Sequence, residues 1–213
     1  MGATPVASSA SGRSSSYAVS WASSVNVNGG LSGPRSQITR TGRSNLLNRD
    51  FTPSELNRVW VSDITYIPTR QGWVYLDGIK DLHGRKIVGF SLAERMDTGL
   101  VMAALIKAVC LHRPPVGLIL HSDRGSQYCS AANQKKLRAY GLICSMSKKG
   151  DCYDNALMEN FWGLLKNELV HRSYSSQAEA IADVAEYIDV FHNRQRRQAA
   201  LDYLSPAAFV RVG

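Results

Sequence analysis

Two acidic residues, far apart in the chain, occupy positions that suggest a chemical function for a carboxylate. Asp63 lies within residues 59–67, a β-branched and aromatic run that predicts a strand with apolar side chains on both faces. Burying an unpaired carboxylate there costs several kcal/mol, so Asp63 is expected to have a compensating partner. Asp123 follows the apolar run 117–121 and so lies at the carboxyl end of a strand, where open α/β sheets bind ligands. These two carboxylates are expected to converge on one sheet.

A third acid, Glu159, lies one turn inside a helix predicted over residues 154–171, with Asp154 as its N-cap. Seven residues later, Lys166 is rotated by about 700° around the helix and therefore stands on the same face as Glu159. Each acid also has an ordinary interpretation when it is considered alone. Asp63 could be a strand-edge residue bonded to backbone or Arg, and Glu159 could belong to a solvated helix face.

Three carboxylates around one point favour a different chemistry from either ordinary interpretation. Hard oxygen ligands select Mg²⁺ or Mn²⁺, which also relieve the repulsion between the acids. Two such ions about 3.5 to 4 Å apart can activate the attacking oxygen and stabilise the leaving oxygen of a phosphoryl transfer. The carboxylates themselves therefore indicate metal-assisted phosphoryl transfer and nothing narrower.

The elements that would position these acids follow a characteristic order along the chain. Three strands in an antiparallel meander are predicted first, and then helix, strand, helix, strand and two helices. This is the order of the RNase H-like fold, an α/β fold with a five-stranded mixed sheet flanked by helices. The predicted strands are 59–67, 73–79, 86–92, 117–121 and 142–146, and the predicted helices are 98–112 (capped by Thr98), 130–140, 154–171 and 176–192 (capped by Ser176).

Length, charge and cysteine content exclude several other classes of protein. The 213 residues suffice for one good-sized domain, and their net charge of +8 favours an anionic partner such as nucleic acid. The four cysteines form no Cys-x-x-Cys pair, so a zinc ribbon or a secreted disulfide scaffold is not indicated and a reducing cytoplasm is expected. Apolar runs are too short to span a membrane.

The first 44 residues differ in composition from the rest of the chain. They contain 12 Ser, 6 Gly and no acidic residue, without helical or strand periodicity. Such a segment buries too little apolar surface to offset its ordering entropy. Residues 1–44 are therefore predicted to be a disordered, atypical tail, and residues 45–213 a catalytic core with a C-terminal helical extension.

Three sequence motifs, in a fixed order along the chain, restrict the type of phosphoryl transfer further. Thirty-five residues separate Asp123 from Glu159, and this part of the chain contains His-Ser-Asp-Arg-Gly-Ser-Gln-Tyr at 121–128 and Asp-Asn-Ala at 154–156. A basic closing block runs from Asn193-Arg-Gln-Arg-Arg to Leu-Ser-Pro at 204–206. With these motifs the chain resembles the D,D(35)E integrase-core transposases of bacterial insertion sequences, in particular the second-frame product of elements encoded in two overlapping frames.

The resemblance, over residues 45–210, implies a function for each part of this core. It implies that Asp63, Asp123 and Glu159 are the catalytic triad and hold two Mg²⁺ or Mn²⁺ ions per active site. It implies hydrolysis that exposes an element's 3′ end, and strand transfer that joins this end to target DNA. Lys166 is expected to contact the element's terminal DNA. Further phosphate contacts are expected from Arg124, Lys148, Lys149, Arg194, Arg196 and Arg197.

The same resemblance implies partners and a location. The working complex is expected to be a homo-oligomer on two DNA ends, in the bacterial cytoplasm and bound to the nucleoid. An upstream-frame product is expected to supply a helix-turn-helix, which residues 1–44 do not offer. Two alternatives stay open: an RNase H-like nuclease or resolvase without strand transfer, and a catalytically silent remnant that only binds DNA. Trp162 and Tyr128 are expected in the core rather than stacked on bases.

Overall fold

The computed structural model describes residues 45–47, 52–147, 156–169 and 172–212. The predicted tail at 1–44 and the positions of Lys148, Lys149 and Asp154 lie outside the described residues. A five-stranded sheet, the one predicted, forms the centre of the described core, in the order β3-β2-β1-β4-β5. Its strands are β1 (Val59–Thr69), β2 (Gly72–Asp81), β3 (Ile87–Ala93), β4 (Ile119–Ser122) and β5 (Ile143–Met146).

Pairing in this sheet is mixed, as predicted. Strands β1, β2 and β3 form an antiparallel meander, and β4 pairs parallel to β1 on the other side. Strand β5 continues the parallel half beyond β4. Because β1 is central, it buries apolar side chains on both faces. Trp60 belongs to the hydrophobic cluster on one face, and Val61 and Ile67 belong to the cluster on the other.

Helices α1 (Thr98–His112) and α3 (Ala131–Ala139) cover the face that contains Trp60. The N-cap of α1 is Asp97, not the predicted Thr98, because the Asp97 carboxylate accepts the N–H of Leu100 at 3.1 Å. Ser130 caps α3 through the N–H of Asn133. A short helix that was not predicted, α2, precedes it at Ser126–Cys129.

The opposite face is covered by α4 (Ala156–Leu169) and α5 (Gln177–Glu186). Ser176 caps α5, as predicted. The predicted helix over 176–192 is helical throughout, but its α geometry ends at Glu186 and the chain continues as a π-helical segment at Tyr187–Gln195. Its wider turn shows at its end, where the N–H of Arg196 donates to the carbonyl of Phe191, five residues earlier, at 2.7 Å.

The π segment closes one edge of the sheet, beside β3. The side-chain amide of Asn193 accepts the N–H of Ile87 at 2.9 Å and donates to the Ile87 carbonyl at 3.0 Å, as a neighbouring strand would. A short turn at Ala199–Leu201 and helix α6 (Pro206–Val212) follow. Within the described ranges, no helix combines the length and apolarity needed to cross a membrane.

Candidate active site

Asp63 lies in the middle of β1, on the face that α4 covers. Its neighbour on β2 is Gly78, and the two residues are paired across the strands. A Cβ at Gly78 would lie 2.8 Å from the ring of Trp162 and 3.3 Å from Met158, so only glycine lets α4 approach this closely. The indole N–H of Trp162 then reaches Asp63 and donates to its Oδ2 at 2.9 Å. This hydrogen bond is the compensating partner that a carboxylate in a central strand requires.

Asp123 comes level with Asp63 because of the parallel pairing between β1 and β4. Val59 pairs with Ile119 and Val61 with His121. Continuing this register by two residues sets Asp123 beside Asp63, one position after β4 has ended. Asp123 is exposed there, and its Oδ1 accepts the N–H of Gly125 at 2.8 Å in a tight turn. The loop after β4 therefore holds the carboxylate at the end of the sheet.

Glu159 lies in the first turn of α4 and is exposed. The helix is anchored by its opposite stripe, since Met158, Phe161 and Leu165 are at most 1% exposed. Two turns further along, the exposed side chain of Lys166 lies over the ring of Tyr66, with its Nζ 4.9 Å from the ring centroid. Packing thus fixes α4 while Glu159 and Lys166 stay accessible.

Electrostatics link the three carboxylates. The pKa of Asp63 is raised from 3.8 to about 6, first by burial and further by the negative charges of Asp123 and Glu159. The hydrogen bond from Trp162 lowers this pKa by less than burial raises it, but its effect is larger than that of either charge. Asp63 thus interacts electrostatically with both other acids, although they are 60 and 96 residues away in the chain.

The donor set fits a divalent cation of the hard class, because three carboxylates offer only oxygen ligands and their mutual repulsion is what such an ion relieves. Their spacing is wider than a closed coordination shell. Among the described residues, no three His, Cys, Asp or Glu side chains are grouped closely enough to hold one metal ion. Joint ligation therefore requires the carboxylates to move towards one another.

A fourth acid, Asp77, lies beneath the site and was not singled out by the sequence. It is fully buried on β2, where its Oδ1 accepts hydrogen bonds from the hydroxyls of Tyr128 at 2.5 Å and Ser62 at 3.1 Å. Within the described part of the chain, its Oδ2 has no hydrogen-bond partner. Burial raises the pKa of Asp77 to about 8, with smaller contributions from the charges of Asp63 and Asp123.

This network joins the two elements that carry the acids. Ser62 is next to Asp63 on β1, and Tyr128 is on α2, in the 121–128 motif that contains Asp123. Tyr128 and Trp162 are 3% and 6% exposed, which confirms the prediction that both belong to the core. Each also donates a hydrogen bond to a carboxylate, Tyr128 to Asp77 and Trp162 to Asp63. No feature of the sequence indicated these contacts.

The basic residues predicted to contact DNA lie in three places. Arg124 follows Asp123 and donates from Nε to the carbonyl of Ser147 at 2.8 Å. Arg196 forms an ion pair with Glu168, which also accepts a hydrogen bond from Tyr187. Arg194 and Arg197 are exposed. Their contact with DNA, and that of Lys166, stays a prediction.

Comparison with known proteins identifies relatives among insertion elements. The "Insertion element IS600 uncharacterized 31 kDa protein" of Shigella sonnei is 52% identical over 166 residues, which cover 78% of this chain and 61% of that protein. The "Transposase for insertion sequence element IS904" of Lactococcus lactis is 44% identical over 168 residues, 78% of this chain and 66% of the relative. "Transposase InsF for insertion sequence IS3A" of Escherichia coli is 43% identical over 166 residues, 78% of this chain and 58% of the relative. The chain spans about three fifths of the length of these relatives.

Solved structures with a similar fold come from retroviral integrases. The HTLV-2 integrase catalytic core domain, determined in complex with magnesium in a trimeric form, matches with a TM-score of 0.56 at 16% identity, over 72% of this chain and 95% of that one. The simian T-cell lymphotropic virus intasome, in complex with the PP2A regulatory subunit B56 gamma, matches with a TM-score of 0.55 at 16% identity, over 70% of this chain and 52% of that one. These matches confirm the predicted RNase H-like fold.

The fold, with acids on β1, after β4 and on α4, defines an RNase H-like core of the integrase type. Two family models, each described as "Integrase core domain", match residues 53–152 and 159–211, which together are more than half of the chain. This chain belongs to the integrase core domain family, and its curated relatives come from bacterial insertion elements.

Proposed function

We propose that this chain is the catalytic core of an insertion-sequence transposase, which hydrolyses phosphodiester bonds at element ends and joins the freed 3′ ends to target DNA. The observation that carries the proposal is the placement of the acids within an integrase core: Asp123 follows β4 level with Asp63 on β1, and Glu159 lies on the helix that covers this face of the sheet. The names of two relatives, transposases of IS904 and IS3A, supply the reaction class.

In this proposal Asp63, Asp123 and Glu159 hold two divalent cations, Mg²⁺ or Mn²⁺. When bound, the ions activate the attacking oxygen and stabilise the leaving oxygen of the phosphodiester. The chain's own residues set the position of the acids before any substrate arrives. Trp162 fixes one oxygen of Asp63, and the turn at Gly125 fixes one oxygen of Asp123. These two contacts limit the movement that joint ligation requires of Asp63 and Asp123.

DNA is the substrate in this proposal, and the basic residues position its backbone. Lys166 stands on the same helix as Glu159 and is exposed, which suits a contact close to the reacting phosphate. The working form is a homo-oligomer on two DNA ends, bound to the bacterial nucleoid, with an upstream-frame product supplying end recognition. Arg124, Lys148, Lys149, Arg194, Arg196 and Arg197 are the further proposed DNA contacts.

A strand-transfer assay tests the function. The substrates are duplex oligonucleotides that carry the inverted repeats flanking the coding region, with Mg²⁺ or Mn²⁺ present. Asp63→Asn, Asp123→Asn and Glu159→Gln remove one negative charge each and should reduce joining to background. Glu186→Gln makes the same change at an exposed position on α5 and should join DNA like the wild type.

The outcomes separate the alternatives. Joining that survives any of the three triad substitutions contradicts the assignment of these residues. Metal-dependent cleavage without joining identifies a nuclease or resolvase instead of a transposase. DNA binding with neither reaction identifies a silent remnant.

A further inference from the structure

A basic cavity lies at the edge of the sheet, away from the three carboxylates. It has a volume of about 180 Å³ and is enclosed by β3, the C-terminal half of α1 and the π segment. Strand β3 is separated from β1 by β2, so the cavity and the acids occupy different parts of the core. Three cationic side chains line it, Lys86, Lys107 and Arg194, together with His112 and one acid, Asp189.

The cations in this cavity are only partly neutralised. Lys107 is held in place by the ring of Phe90, whose centroid lies 3.5 Å from Nζ, and by Asp189, whose Oδ2 lies 4.0 Å away. Among the described residues that line the cavity, Asp189 is the one carboxylate available to Lys86 and Arg194 as well. Three positive charges therefore line the cavity against one negative charge, so the lining has an excess of positive charge.

Mutual repulsion shows in the titration of the lining groups. The pKa of Lys86 is lowered by burial and then by the charge of Arg194, and the charge of Asp189 opposes this by a smaller amount. The pKa of His112 is lowered to about 4, by burial and then by the charge of Lys86. Burial also lowers the pKa of Lys107, and Asp189 opposes this effect. An anion in the cavity would offset the repulsion between Lys86 and Arg194 and add hydrogen bonds to both.

We propose that this cavity binds a phosphate group. Its volume of about 180 Å³ exceeds that of one phosphate and leaves room for a few waters. Lysines attract phosphate as point charges, and the guanidinium of Arg194 adds a bidentate donor. The phosphate comes either from a DNA backbone, which rests on the proposed function, or from free inorganic phosphate, which does not.

Thermal unfolding of the full chain in inorganic phosphate tests the binding directly, with chloride at equal ionic strength as the reference. Phosphate should raise the Tm of the wild type and have at least about tenfold lower apparent affinity for Lys86→Met. In chloride, Lys86→Met should be at least as stable as the wild type, because it removes one of the repelling cations. Lys107→Met is the second variant and should also weaken the response to phosphate. Lys135→Met, at an exposed position on α3, is the matched control and should respond like the wild type.

DNA binding distinguishes the two sources of phosphate. Affinity for a 30-base-pair duplex of arbitrary sequence is measured against salt concentration. A backbone phosphate in the cavity predicts that Lys86→Met reduces the slope of log K against log salt by about 0.9, while Lys135→Met leaves it unchanged. A loss of phosphate response with an unchanged slope assigns the cavity to free phosphate.

The proposal fails if Lys86→Met and Lys107→Met keep both the response to phosphate and the salt slope of the wild type. It also fails if Lys135→Met weakens them equally, since the effect would then be that of net charge alone. Neither readout requires catalysis. The cavity can therefore bind phosphate in a protein that does not join DNA, and the two proposals fail separately.

Discussion

The substitution Asp77→Asn tests whether a neutral carboxyl is built into the core beneath the site. Asp77 is fully buried and its pKa is raised from its usual value of 3.8 to about 8. Asn has nearly the same shape, and its carbonyl oxygen can accept the hydroxyls of Tyr128 and Ser62 in place of Oδ1. Its amide nitrogen would replace Oδ2, an oxygen that makes no hydrogen bond with any described residue. Packing should therefore survive the change.

The sign of the effect follows from the raised pKa. The folded protein binds this proton more tightly than the unfolded chain, so the stabilisation it provides is complete below about pH 4 and is lost as pH rises towards 8. At roughly 1.4 kcal/mol for each pKa unit, the loss is on the order of 5 kcal/mol. Asp77→Asn carries no titrating group and avoids this loss.

Urea unfolding of both proteins between pH 4.5 and pH 9 provides the assay. The free energy of unfolding of Asp77→Asn should exceed that of the wild type by an amount that grows steadily with pH. Asp202→Asn is the control, because Asp202 is exposed and its φ of 51° is a conformation that Asn also adopts. Its pH dependence should match the wild type. Parallel curves for Asp77→Asn and wild type would refute a neutral Asp77. A variant destabilised at every pH would mean that the hydroxyl donors require a carboxylate.

Two further predictions concern the contact between β2 and α4. Gly78→Ala should lower the free energy of unfolding, measured by urea titration, by about 1 to 3 kcal/mol, because the new Cβ meets the Trp162 ring at 2.8 Å. Gly163→Ala is the control, because a Cβ there has open space around it and should not destabilise the protein. Trp162→Phe keeps a smaller aromatic ring at this position and removes the donor to Asp63. It should lower Mn²⁺ affinity about 10- to 100-fold, measured by calorimetry. Unchanged affinity would show that this hydrogen bond does not position Asp63.

Much of the sheet was predictable because its signals are local. All five strands were predicted to within a few residues, β1 from its β-branched and aromatic run. The apolar strand before Asp123 placed that acid at the end of β4. Parallel pairing then brings Asp123 level with Asp63, since strands in register align residues at equal distances from their paired positions. The convergence of these two acids needs no information beyond strand order.

The contacts that tune the acids were not predictable, because they join residues remote in the chain. Nothing local indicates that Gly78 leaves space for Trp162, or that Trp162 bonds a carboxylate 99 residues away. Asp77 resembles any polar residue in a strand until its burial is known. The π geometry of residues 187–195 was not predicted. The hydrogen bonds of a π-helix span one residue more than those of an α-helix, and the spacing of apolar residues does not distinguish the two.

Direct Mn²⁺ binding to the full chain is the closest test of the central claim, that Asp63, Asp123 and Glu159 act together on divalent cations. Calorimetry or the paramagnetic signal of free Mn²⁺ gives the affinity without any DNA. We expect Asp63→Asn, Asp123→Asn and Glu159→Gln each to weaken binding at least about tenfold, and Glu186→Gln to leave it unchanged. Equal binding by the wild type and the three triad variants would show that these acids do not bind the cation together.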